Sequence, residues 1–153
     1  MRAPLLARCC GVILAAAFCP CRFAPQAPPI EPLPESETAG LLAGIDRGEQ
    51  IRAGALHRAL HSSQLTLRAR AAMALGTQGD RSSIAFLIDA LSDMSSHVGA
   101  GYTAPGLETT RYWASESLKR LAVRDFGFVW NAPERESKET TDRWKDWYLG
   151  RDR

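Results

Sequence analysis

Between Leu65 and Leu91 the chain reads LTLRARAAMALGTQGDRSSIAFLIDAL, and this pattern constrains the fold more than any other stretch. Leu67, Ala71, Ala74 and Leu75 recur at i, i+4, i+7 and i+8, one face of a helix. Gly76, Gly79 and Asp80 interrupt the pattern, so the first helix is predicted over 65–76, with Asp80 capping the next. Ile84, Leu87, Ile88 and Leu91 then restore the same period. Two short helices with one apolar stripe each cannot bury those stripes alone, so the chain must supply further helices to pack against them.

The flanking sequence supplies them. Ser36 is expected to cap a helix over 37–45 carrying Leu41, Leu42 and Ile45, with Asp46-Arg47-Gly48 as the turn. A second helix is expected over 49–60, broken by Ser62-Ser63. Beyond the central pair, 94–108 (MSSHVGAGYTAPGLE) has three glycines and a proline and no period, and reads as a loop. A fifth helix starts at Thr109 or Thr110 with Ala114, Ser117, Leu118 and Leu121 facing inward. After the aromatic bend 125–130 (DFGFVW), a last helix is expected over 133–149, ended by Gly150. Its Trp144, Trp147 and Tyr148 share one side and are read as sealing the core, since each aromatic offers roughly 150–250 Å² of surface to bury.

The helical part repeats itself. At an offset of 31, Leu56, Ala59 and Leu60 fall on Leu87, Ala90 and Leu91; at 43, Arg68, Ala71 and Leu75 fall on Arg111, Ala114 and Leu118. The unit is therefore helix A, turn, helix B, and the 12 residues between the two offsets are what the loop 94–108 adds to the second copy.

Leu67-Arg-Ala-Arg-Ala-Ala-Met-Ala-Leu-Gly76, Gly79-Asp80 and Ile84-Ala-Phe-Leu-Ile-Asp-Ala-Leu-Ser-Asp93 resemble the HEAT-repeat family, specifically the short bacterial HEAT-like repeats, over about Thr38 to Val123. The resemblance implies an all-α fold: a short right-handed α-α superhelix of roughly two to three helical pairs, closed by a C-terminal aromatic capping helix. It implies binding of other macromolecules and no chemistry. It also implies that Arg68 and Arg111, at the start of their B helices, pair with the turn aspartate of a neighbouring repeat. Asp93 keeps that aspartate; Ser62-Ser63 departs from it. In the family the B helices line the concave surface, which makes Arg70, Arg111, Glu116 and Lys119 candidate partner-binding residues. The loop adds His97 and Tyr102, because unstructured insertions of more than about 12–15 residues in compact domains are often functional.

The first 35 residues are of another kind. Arg2 and Arg8 precede the 8-residue apolar run Gly11–Phe18, and residues 1–24 are read as an export signal. Such a run is too short to span a bilayer, which takes roughly 20 residues. A cut after Ala17 satisfies the small-residue rule; lipidation at Cys19 is the lesser reading, because Phe18 stands where a small residue belongs. Residues 25–35 are Pro-rich and read as an extended linker, in preference to a P-x-x-P ligand. The repeats then occupy 36–123 and the aromatic bend and cap 124–153.

Composition narrows the function. Removing Arg2, Arg8 and Arg22 from the 19 basic residues leaves 16 against 17 acids, so the body is near neutral and provides no field for nucleic acid. All four cysteines lie in the first 21 residues, which excludes a disulfide framework or thiolate metal site in the body. His57-x-x-x-His61 has zinc spacing, but Arg58 replaces the glutamate of H-E-x-x-H, and His57 aligns with Ile88 as a half-buried packing residue. Asp125-Phe-Gly127 lacks every other element of a kinase, and Gly99-Ala-Gly101 follows no strand.

The sequence therefore predicts a non-enzymatic protein-protein interaction module, exported to the periplasm or cell envelope. No cofactor and no metal are expected, and membrane contact comes only through the signal or a lipid. The alternative is an accessory subunit or lyase-like HEAT domain of an enzyme system, which needs a pocket of converging titratable groups.

Overall fold

The computed structural model describes residues 33–95, 106 and 109–151. Six helices succeed one another: α1 (Glu35–Asp46), α2 (Ala53–Ala59), α3 (Leu65–Gln78), α4 (Ser83–Ala90), α5 (Thr110–Ala122) and α6 (Glu134–Tyr148). There is no strand among the described residues. The export signal and most of the Pro-rich linker and of the 94–108 loop lie outside them. No helix among the described residues is long and apolar enough to cross a membrane.

The helices form two layers. In one, α1 packs on α3 and α3 on α5; in the other, α2 meets α4 and α4 meets α6. Across the layers α2 packs on α3 and α4 on α5. The two-layer arrangement is a consequence of the stripes: Leu56 and Ala59 of α2, Leu67, Ala71 and Leu75 of α3, Ile84, Leu87 and Ile88 of α4, and Ala114 and Leu118 of α5 form one buried core. Trp144 closes it from α6 and is 1 % exposed. Its ring stands edge-on to Phe126 at 4.7 Å and to Trp147 at 5.6 Å, so the aromatic bend and the last helix seal the end together. Tyr148 does not take part and is exposed.

Several boundaries differ from expectation for reasons the local sequence does not carry. Helix α1 begins after Pro34, whose fixed φ suits an N-cap, so Ser36 lies inside the first turn and caps nothing. Residues 49–52 are extended instead of helical because Gln78, at the end of α3, holds them. Its Oε1 accepts the Ile51 amide at 2.9 Å and its Nε2 donates to the Glu49 carbonyl at 3.0 Å. Gly76 does not end α3, which continues to Gln78. A Cβ at Gly76 would stand 2.4 Å from Ser117 Oγ and 3.1 Å from Ser117 Cα, so glycine lets α5 approach the α3 backbone. Ser117 uses that approach to donate a 2.6 Å hydrogen bond to the Ala72 carbonyl. Asp80 caps a turn two residues ahead of α4 and not the helix itself: its carboxylate takes the Ser82 amide at 2.8 Å.

Helix α6 departs from the repeat. Glu134 at its start lines the same cavity as Leu91 and Ser92, just past the end of α4. Ser137, Thr141 and Lys145, farther along the helix, line it too.

Candidate functional site

The joint between the two repeats is held by Arg68. From the first turn of α3 its Nε donates to Asp93 Oδ2 at 2.7 Å, and its Nη1 to the Ser62 carbonyl at 2.7 Å. Ser95 bridges the pair, accepting from Arg68 and donating to Asp93. Burial pushes the Asp93 carboxyl up, but the Ser95 and Arg68 bonds outweigh it and hold it below the ordinary carboxylate value. Ser62 explains how the first repeat manages without the turn aspartate. Its Oγ accepts the Gln64 amide at 3.2 Å, the bond that Asp93 makes to the Ser95 amide at 3.0 Å. The turn is kept and the charge is not. This joint is structural, as the family resemblance implies.

The candidate binding residues separate into three groups. His97 and Tyr102 lie outside the described residues. Arg111 is not on a surface at all: it is 1 % exposed, beneath Phe128, whose ring centroid lies 5.3 Å from its guanidinium carbon. The expectation of an open face fails there because Phe128, from the bend after α5, lies over the guanidinium. Arg70, Glu116 and Lys119 do sit on the outer side of the α1/α3/α5 layer, half-buried. Arg70 lies 3.4 Å from Asp46 of α1. Lys119 bridges Glu116 at 2.9 Å and Asp125 at 3.3 Å, and both, with the Glu116 bond foremost, raise its pKa. Arg70, Glu116 and Lys119 are thus each ion-paired.

Two aromatics of this face escape the sequence reading. Tyr112 and Trp113 on α5 are half-buried and meet edge-on at 5.0 Å. The 43-residue offset is signal enough, since it lays Trp113 on Arg70 and Glu116 on Met73. Arg70 and Met73 on α3, with Trp113 and Glu116 on α5, therefore make one row of equivalent positions across the repeats.

On the other layer His57 stacks on Phe86, with centroids 4.0 Å apart and planes inclined at 21°, and its Nε2 lies 2.9 Å from Ser83 Oγ. Burial lowers its pKa, partly offset by Asp80, so the ring is a neutral packing element. His61 is exposed. A shallow groove of about 300 Å³ between α1 and α2 is lined by Leu33, Leu41, Ile51 and Ala55, with Glu37 and Glu49 at its margin.

Against known proteins, one segment is decisive: residues 67–93 match the family model of the PBS lyase HEAT-like repeat. The chain carries a HEAT-like repeat. The matched segment runs from α3 through the Gly79-Asp80 turn to Asp93, the joint that Arg68 closes. No curated protein matches the chain, and no solved structure does.

Proposed function

We propose that this chain is a non-enzymatic protein-interaction module of the bacterial envelope, exported by its first 24 residues, which binds a protein partner on the outer side of the α1/α3/α5 layer. The observation that carries the reading is the row Arg70, Met73, Trp113 and Glu116. It presents aromatic, thioether and paired charged groups at repeat-equivalent positions on a HEAT-like scaffold. Aromatic residues, Met and Arg are the groups enriched where proteins meet. Of the α6 aromatics, Trp144 is buried in the core and Trp147 packs against it, as Trp113 does with part of its surface left open, while Tyr148 is exposed.

Two experiments test it. Residues 1–26 fused to a reporter active only outside the cytoplasm should switch the reporter on; a silent, cytoplasmic fusion sinks the export reading. The tagged full chain should capture a partner from the envelope fraction that the Glu116→Lys, Lys119→Glu double variant does not. That variant keeps a 116–119 ion pair, at the loss of the Lys119–Asp125 bridge, while reversing the charge pattern, so undiminished capture contradicts the face assigned.

A further inference from the structure

Arg111 occupies the place of Arg68 one repeat later, and the two guanidinium groups have met different fates. Arg68 reaches the aspartate in the turn of the next repeat. After α5 the chain runs through the aromatic bend into α6, and among the described residues no second turn aspartate comes into ion-pair contact with Arg111. No carboxylate among them is in ion-pair contact with it; the charge of Asp93, already bonded to Arg68, reaches it only at a distance. Its Nε donates to the Leu91 carbonyl at 3.1 Å and its Nη1 faces the Met94 sulfur at 3.0 Å, a weak acceptor. Its Nη2 is buried with no hydrogen-bond partner. Of five N–H donors, both on Nη2 go unused. A buried charge in this state is costly unless something completes it.

Arg111 lines a cavity of about 230 Å³ together with Met94, Glu134, Lys138, Asp142 and Lys145. Lys138 is tied to Asp142 at 2.7 Å, and of the charged groups lining the cavity Arg111 is the buried one, with no carboxylate in direct contact. The start of α5 adds its positive dipole end. A guanidinium fork is matched in geometry and charge by a carboxylate, bound through two parallel N–H···O bonds. Met94, 37 % exposed at the margin of the cavity, is the flexible cover that would give way.

We propose that this cavity is a carboxylate-binding site in which a small acid, or an acidic side chain of a peptide, replaces the Met94 sulfur on Arg111. The cavity is several times the roughly 30 Å³ of a water, room for a group of that size. It shares no residue with the α3/α5 row and does not depend on that row's binding a partner.

The test is an NMR titration of the isotope-labelled full chain at constant ionic strength, with sodium acetate and with the capped peptides acetyl-Gly-Asp-Gly-amide and acetyl-Gly-Asn-Gly-amide. Saturable shifts at Arg111 Nε and at the Leu91 and Thr141 amides are expected with acetate and with the aspartate peptide. Tighter binding of the peptide identifies a side chain as the source, and equal binding a free acid. Equal shifts from the asparagine peptide or from inorganic sulfate, or shifts that never saturate, overturn the proposal. Arg111→Met should weaken binding by about tenfold or more. Met94→Ala, which leaves the guanidinium in place, should tighten it about threefold. Should Arg111→Met fail to fold, Met94→Ala decides alone: unchanged or weaker binding overturns the site.

Discussion

Replacing Gly76 by alanine isolates the contact on which the two repeats depend. Taken as a helix position, Gly76→Ala should stabilise by roughly 0.8–1 kcal/mol, because alanine loses less backbone freedom. The tertiary setting opposes this. The new Cβ would lie 2.4 Å from Ser117 Oγ, 3.0 Å from its Cβ and 3.1 Å from its Cα. The hydroxyl can turn away only by giving up its bond to the Ala72 carbonyl, worth about 1 kcal/mol. The Cα can retreat only if α5 moves, and overpacking of this kind costs about 1–3 kcal/mol. The balance is a net loss of about 1–3 kcal/mol, or a fall in Tm of roughly 4–8 °C for each kcal/mol in a domain of this size. Gly40→Ala is the control, since a Cβ there meets nothing within 4 Å. It should be stabilising by up to about 1 kcal/mol. Thermal unfolding monitored by circular dichroism reads both. If Gly76→Ala is as stabilising as Gly40→Ala, the close approach of α3 and α5 is not as described.

The same structure predicts three further outcomes. Asp93→Asn should destabilise by about 2 kcal/mol, because it leaves the half-buried Arg68 without its partner. Since the folded state holds the Asp93 carboxyl below its unfolded value, this stability is full above the unfolded pKa and lost as pH falls through the folded one. Denaturant midpoints at several pH values below about 5 should therefore converge for the wild type and the variant. Trp144→Ala should cost about 3–5 kcal/mol by opening the cap, whereas Trp144→Phe should cost far less, because the indole N–H is buried with no hydrogen-bond partner. Urea titration separates the two. Val123, at the end of α5, holds φ at 50° while 90 % exposed, so thermal unfolding should show Val123→Gly more stable by about 1 kcal/mol.

The features legible in the sequence are those that short-range pattern controls. The stripe of α3 and α4, the turn between them and the existence of all six helices are set by 3.6-residue periodicity and by turn residues. The Arg68–Asp93 pair is legible through resemblance, because the repeat frame puts both residues in register. The departures share one cause, a partner far away in the chain. Residues 49–52 carry no helix breaker; Gln78, some 27 residues on, unwinds them. Gly76 reads locally as a stop, yet its reason is Ser117, on the next B helix. Arg111 has the spacing of an exposed helix start and is covered by Phe128, whose position no periodicity encodes. The face itself is half legible: Arg70, Glu116 and Lys119 stand out by helix and charge, while Trp113 emerges only when the internal offset is used to align it with Arg70.

By the proposal above, the partner meets the outer side of the α1/α3/α5 layer. Site-specific photo-crosslinking in cells tests it most directly. A photoreactive side chain is placed in the full chain at Glu116 on α5 or, as the comparison, at Arg135 on α6, whose side chain is 90 % exposed. A discrete crosslinked product of higher mass is expected from position 116 and none from 135. A product from 135 alone, or the same product from both, contradicts it.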